Sequence, residues 1–254
     1  MWKREPRCSP RSRPWKPGVD AMAKLITLRD VYKIYGEGLE SEVRALDGVS
    51  LDIERGEFVA VVGQSGSGKS TMMNVLGCLD VPTRGDYFLD GTDVQELTDK
   101  ELSRIRNKQI GFIFQQYNLI PSLTVLENVE LPLIYQGVGA DDRYDMAMAA
   151  LERVGLAGRI KHKPAEMSGG QQQRVAIARA IATKPPIVMA DEPTGALDSR
   201  TGQEVLKFLQ QLNKEGSTVI LITHDNGIAA TARRVVRLQD GKIVEDQLQE
   251  VDWL

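Results

Sequence analysis

The eight residues Gly63-Gln64-Ser65-Gly66-Ser67-Gly68-Lys69-Ser70 constrain this chain more than any other feature. They satisfy G-x-x-x-x-G-K-[ST] in the required context, with the apolar run Phe58 to Val62 before them and a helical pattern from Lys69 to Leu79 after them. Glycines at 63, 66 and 68 let backbone N–H groups turn inward around phosphate oxygens, and the helix start at Lys69 to Thr71 adds the positive end of its dipole. Lys69 brings an ammonium to the outer phosphates, and Ser70 offers a hydroxyl to Mg2+. A strand, loop and helix of this kind belong to an α/β fold with a parallel sheet.

The pattern along the chain agrees. From Leu25, strand-like stretches at Leu25 to Leu28, Val43 to Ile53 and Phe58 to Val62 are separated by turn signals at Gly36, Gly38 and Gly56. Tyr87 to Leu89 and Ile110 to Phe114 read as further strands, with a helix at Asp99 to Lys108 between them. Residues 124 to 155 turn helical, with Tyr144, Met148 and Leu151 at three- and four-residue spacing, and read as a helical insertion. Beyond it, Ile187 to Ala190 and Val219 to Ile222 flank the helical stretch Thr201 to Asn213, which is the alternation of a buried parallel sheet.

Composition removes several function classes. With 42% hydrophobic and 26% charged residues over 254 positions the chain is core-forming, and no apolar run approaches the roughly 18 residues that span a bilayer. A net charge of -3 gives no basic footprint, so no nucleic-acid partner is expected. Cys8 and Cys78 match neither a zinc spacing nor a disulfide framework, which fits a reducing compartment. Residues 1–21 are a different material, a basic Pro-rich tail with six cations against Glu5 and Asp20. They lack the apolar segment of a secretory signal and read as a disordered tail, or as a start placed too early with Met22 as the working one.

A phosphate loop needs a second strand ending in an acidic residue, and Ile187 to Ala190 followed by Asp191-Glu192 supplies it. Asp191 can reach a magnesium shell, and Glu192, next along, can face an attacking water as general base. Guanine recognition needs N-K-x-D, and Asn213-Lys214-Glu215-Gly216 fails at its last position, so ATP is the better nucleotide.

With Met167-Ser168-Gly169-Gly170-Gln171 added, the chain resembles the ATP-binding cassette family over Leu25 to Glu245. The resemblance implies a P-loop NTPase (RecA-like) core with an N-terminal antiparallel β subdomain and an inserted α-helical subdomain. It makes 22–254 one nucleotide-binding domain, with the insertion at about 116–175. Ser168 and the two glycines open a helix whose free N–H groups point outward, and in the family these hold the γ-phosphate of ATP bound to a second subunit. A head-to-tail homodimer with two ATP molecules sandwiched between P-loops and opposing signatures follows from that. By the same resemblance Tyr35 stacks on adenine, with Tyr32 as the alternative. Gln115 touches metal and water and reports to the insertion, and His224 contacts the γ-phosphate. Asp198, in Ala196-Leu197-Asp198, lies in the loop crossing the dimer, and can equally cap the next helix. His162 reads as solvent-exposed. Met167 stands where leucine is common, a change of packing rather than of activity.

Within the family, Met73 to Asp80, Gln115 to Pro121 and Glu127 to Pro132 are similar to the subgroup serving lipoprotein-release and macrolide-export permeases. That likeness implies an Mg-dependent ATPase motor on the cytoplasmic face of the inner membrane, driving a separate transmembrane permease for export or extracytoplasmic work. The segment Tyr117 to Leu133, with apolar Leu119, Ile120, Leu123 and Leu126, is then where a coupling helix would be gripped. The alternative is a soluble cassette of DNA repair or translation. Against it, Lys69 and Asp191 are too close in sequence for an intervening coiled coil, and the chain holds one cassette, not two. A non-enzymatic nucleotide sensor would lack a catalytic group, and none is missing.

Overall fold

Two long antiparallel strands, β1 (Lys24–Tyr35) and β2 (Val43–Glu54), begin the computed structural model, which describes residues 24–251. The expectations for residues 1–21 and Cys8 fall outside that range. The next strand, β3 (Phe58–Val62), leaves for a second sheet and leads through the phosphate loop into α1 (Lys69–Leu76). β4 (Arg84–Leu89) and β5 (Thr92–Asp93) then return to the first sheet, giving it the order β2-β1-β4-β5. There follow α2 (Asp99–Gln109), β6 (Ile110–Phe114), α3 (Val125–Gln136), α4 (Ala140–Arg153), α5 (Gly169–Ile181) and β7 (Ile187–Asp191). The chain closes with α6 (Ser199–Lys214), β8 (Thr218–Thr223), α7 (Asn226–Ala229), β9 (Arg234–Gln239) and β10 (Lys242–Leu248). The second sheet has the order β10-β9-β3-β8-β7-β6, all parallel except the edge strand β10.

The expected α/β architecture is present, and side-chain alternation explains it. Phe58, Ala60 and Val62 of β3 join Val188 and Ala190 of β7 and Val219 and Leu221 of β8 in a core against the helices. Val59, Val61, Ile187, Met189, Ile220 and Ile222, the intervening residues, point into a second core shared with β1, β2, α1 and β4. A strand buried on both faces must be apolar at every position, which is why these three read as continuous runs. Each fully buried Val, Leu or Ile contributes about 1.5–3 kcal/mol.

The insertion between β6 and β7 is built from local signals. Thr124 caps α3 in a capping box with Glu127, and Gly137, at φ 78°, ends it. The continuous helical stretch expected over 124–155 is therefore two helices, parted at Gly137–Gly139. On the expected face of the second, Leu151 is fully buried and Met148 half-buried, whereas Tyr144 is exposed, and Ala147, Ala150 and the C-cap Val154 complete the buried surface. Small alanines let α4 approach its neighbours closely, and hydrophobicity alone does not weight them.

Other boundaries move for physical reasons. α1 stops at Leu76 instead of Leu79, because Gly77 caps it; a side chain there would lie 2.6 Å from the Phe112 ring. β9 and β10 are additional strands, joined by a tight turn in which Asp240 and Gly241 both have positive φ. His162 is half-buried, its ring 2.9 Å from Arg159 and its carbonyl accepting from Val125 N–H. Met167 is buried in the helical core, as a packing residue should be.

Candidate functional site

Register brings the candidate residues to one edge of the parallel sheet. Val62 pairs with Thr223, Asp191 with Ile222, and Phe114 with Asp191, so β3, β8, β7 and β6 end together. The next residues out are Gly63, His224, Glu192 and Gln115, which therefore leave the sheet side by side. The carboxyl ends of parallel strands are where such folds bind ligands.

Two glycines of the phosphate loop have no substitute. Gly68 has φ 101°, and a Cβ on it would lie 2.4 Å from the Ala45 carbonyl oxygen; one on Gly63 would lie 2.4 Å from that of Leu238. α1 starts at Gly68 without a side-chain cap and with no acidic residue in its first turn, so its leading N–H groups favour an anion. Lys69 folds back over the loop, donating to the Gly63 carbonyl at 2.6 Å and the Gln64 carbonyl at 2.8 Å.

Glu192 is held by three donors. Its Oε1 lies 2.6 Å from His224 Nδ1 and accepts the His224 backbone N–H at 2.9 Å, while Oε2 accepts the Thr223 hydroxyl at 3.2 Å, its one partner among the described residues. The residue has φ 45° and its N–H donates to the Ile222 carbonyl, so the backbone itself turns the carboxylate toward β8. Its side chain is 15% exposed, whereas that of His224 is 70% exposed. Asp191 is half-buried, and desolvation lifts its carboxyl above the ordinary range; the Glu192 charge adds to this and Lys69 offsets part of it.

Gln115 rests on Gly195, where a Cβ would meet its Nε2 at 2.6 Å. The loop after it is tied to α5, because the Arg179 guanidinium donates to the carbonyls of Tyr117 at 2.9 Å and Asn118 at 2.6 Å. Tyr117 and Asn118 both have positive φ, a conformation that these two bonds help to hold. Gln173, fully buried, donates to the Pro193 carbonyl at 2.8 Å, joining α5 to the segment that follows Glu192. Arg179 and Gln173 carry no motif, and their partners lie far away in sequence, so the amino-acid pattern alone did not mark them.

Ser168 caps α5 in a capping box: its Oγ accepts the Gln171 N–H at 3.3 Å, and its own N–H donates to Gln171 Oε1 at 3.0 Å. The expectation that nothing nearby receives these amides is therefore corrected for Gln171, whereas the Gly169 and Gly170 amides precede the first intrahelical bond. No hydrogen bond or ion pair among the described residues joins Ser168–Gln171 to residues 63–71. Asp198 caps α6, accepting from Thr201 N–H at 3.0 Å and its hydroxyl at 2.7 Å. Of the two tyrosines, Tyr32 turns its hydroxyl against Gly48, and Tyr35 is the exposed one at 41%.

The family model described as ABC transporter matches residues 46–195, more than half of the chain and all the elements from the phosphate loop to Glu192. The chain belongs to the ABC transporter family. Its cassette is 54% identical over 222 residues to the macrolide export ATP-binding/permease protein MacB of Hyphomonas neptunium, a match covering 87% of this chain and 34% of that protein. It is likewise 54% identical over 226 residues to the pyoverdine export ATP-binding/permease protein PvdT of Pseudomonas aeruginosa, covering 89% and 34%. The chain thus spans about a third of the length of the curated relatives it matches. Among solved structures it superposes on the dimeric ATP-binding cassette MJ0796, in a post-hydrolysis state bound to ADP and Pi, with a TM-score of 0.82. That match is 46% identical and covers 89% of this chain and all of that one.

Proposed function

We propose that this cassette is the ATP-hydrolysing motor of an export transporter, working as a head-to-tail dimer against a transmembrane permease. The observation that carries the reading is Glu192, clamped by Thr223 and His224 at the end of β8, the strand between its own and the one that opens into the phosphate loop. Residues 63–71 cradle the triphosphate, and Lys69 exchanges two neutral carbonyls for charged phosphate oxygens. Oε2 of Glu192 accepts a single bond, leaving a lone pair for the attacking water as general base. His224 fixes that carboxylate through Nδ1 and keeps an exposed ring edge for the γ-phosphate. Tyr35 supports the adenine, and Ser168, Gly169, Gly170 and Gln171 meet the ATP of the second copy, with Asp198 in the dimer loop.

The residues fit Mg2+. Asp191 is a desolvated carboxylate beside a second one, which a divalent cation would relieve, and Ser70 and Gln115 would add oxygen ligands to hold it. No cluster of three or more His, Cys, Asp or Glu side chains that could cage a metal alone exists among the described residues. Such a set would suit an ion carried in with its nucleotide, to which it would supply neutralisation of phosphate charge.

No described helix is long and apolar enough to cross a membrane, so the permease would be a further segment or chain, with this cassette peripheral on the cytoplasmic face. The relatives named for macrolide and pyoverdine export support that direction. Of the apolar residues expected to grip it, Leu119 and Leu126 pack on the core, Leu123 is half-buried and Ile120 is exposed. A groove of about 1030 Å³ offers more, lined by Leu79, Phe112, Phe114 and Tyr135 together with Arg104 and Arg106. Tyr135 is 80% exposed.

The test is phosphate release from Mg-ATP by the purified chain and by Lys69→Ala. Turnover by the first and none by the second is expected; equal turnover overturns the reading.

A further inference from the structure

Lys33 and Tyr35 stand two residues apart on one face of β1 and belong to a small network. Lys33 Nζ lies over the Tyr35 ring, 5.2 Å from its centroid, and donates to Asp80 Oδ1 at 2.6 Å and to the Val81 carbonyl at 3.1 Å. The Tyr35 hydroxyl reaches the other Asp80 oxygen at 3.4 Å. Asp80 is fixed in turn: its backbone N–H donates to the Asn74 carbonyl of α1 at 3.0 Å, and its Oδ1 accepts the Val81 N–H at 2.8 Å. The ammonium side chain is only 13% exposed.

Holding a lysine in this way costs desolvation and the rotamer freedom of a long side chain, which an ordinary ion pair barely returns. The expense has a purpose if the ring it covers must not move. We infer that Lys33 and Asp80 are positioning residues for the nucleotide base, clamping Tyr35 as a preset platform and locking that platform to the helix whose first turn takes the phosphates. This rests on the reading of Tyr35 as the adenine contact. Neither residue touches the nucleotide. The clamp removes the ring's rotamer entropy before ATP arrives, and the cation behind one face draws π density away from the other, favouring an electron-rich aminopurine there. Lys33 and Asp80 thereby set the affinity for the base without entering the chemistry at Glu192.

The test compares Lys33→Met, Asp80→Asn, Lys33→Arg and Tyr35→Ala in the full chain. Binding is measured by calorimetry with Mg-ATP and with magnesium tripolyphosphate, which has the phosphates and no base, alongside steady-state ATPase kinetics. Lys33→Met and Asp80→Asn are expected to weaken ATP by about three- to tenfold and leave tripolyphosphate unchanged. KM should rise with kcat preserved, and Lys33→Arg should recover most of the loss. Equal weakening of both ligands, or of neither, overturns the proposal. If Tyr35→Ala weakens ATP selectively while Lys33→Met and Asp80→Asn do not, the clamp is wrong and the adenine contact stands. If Tyr35→Ala has no base-specific effect, the adenine contact itself fails and the clamp with it. Should Lys33→Met not fold, Asp80→Asn carries the same comparison.

Discussion

His224 reaches one oxygen of Glu192 twice, through Nδ1 at 2.6 Å and through its backbone N–H at 2.9 Å. A carboxylate held by both the ring and the main chain of one residue moves when that residue moves. The γ-phosphate contact proposed for the exposed ring edge of His224 is thereby linked directly to the general base.

Replacing the ring breaks that link while the backbone bond remains. His224→Ala is expected to lower kcat by about 10²-fold with little change in ATP affinity. Steady-state turnover together with nucleotide titration checks this, and a variant retaining half of wild-type kcat contradicts it.

Asp191 carries a cost in the nucleotide-free fold. Burial and the neighbouring Glu192 raise its carboxyl above the ordinary range, so the native state keeps this proton to a higher pH than the unfolded chain does. Stability from this group is fully present below the unfolded pKa and is lost as pH rises through the folded one. Asp191→Asn should therefore melt about 1–4 °C higher than wild type at neutral pH, with the gap closing in acid, although it abolishes Mg-ATP turnover. Scanning calorimetry across pH is the check, and a lower neutral melting temperature refutes it.

Asn128, fully buried, shapes the loop ahead of α3: it accepts the Ile120 N–H at 2.8 Å and donates to the Thr124 carbonyl at 2.9 Å and the Ile120 carbonyl at 3.2 Å. Asn128→Ala strands those groups, costing about 2 kcal/mol and lowering the melting temperature by about 4–8 °C. A loss below about 1 °C would show that water replaces the side chain.

The groove beside α2 and α3 is tested away from the nucleotide. Tyr135→Glu places a charge where an apolar anchor is proposed, and should reduce recovery of the chain with a membrane permease by at least about tenfold at an unaltered melting temperature. Undiminished recovery would move the docking surface elsewhere.

How far the amino-acid sequence revealed the structure depended on the range of the interactions. β3, β7 and β8 were legible because burial on both faces makes them apolar throughout, and the phosphate loop because its glycines and Lys69 act within eight residues. β9 was hidden by Arg234 and Arg237, whose charges look like solvent-facing loop until Asp246, Glu57 and Glu245 are seen to pair with them. The Asp240-Gly241 pair, with positive φ at both residues, is the local hairpin signal between β9 and β10. Arg179, Gln173 and Lys33 act on partners brought close only by the fold, and no local spacing announces them.

In the proposed cycle Glu192 commits a nucleotide-closed dimer to hydrolysis. The most direct measurement is the molar mass of Glu192→Gln by light scattering, with and without Mg-ATP, alongside its phosphate release. The expected result is a mass that doubles only with ATP, with turnover down by about 10²-fold or more. A variant that stays monomeric in ATP, or one that turns over near the wild-type rate, would contradict this role of Glu192.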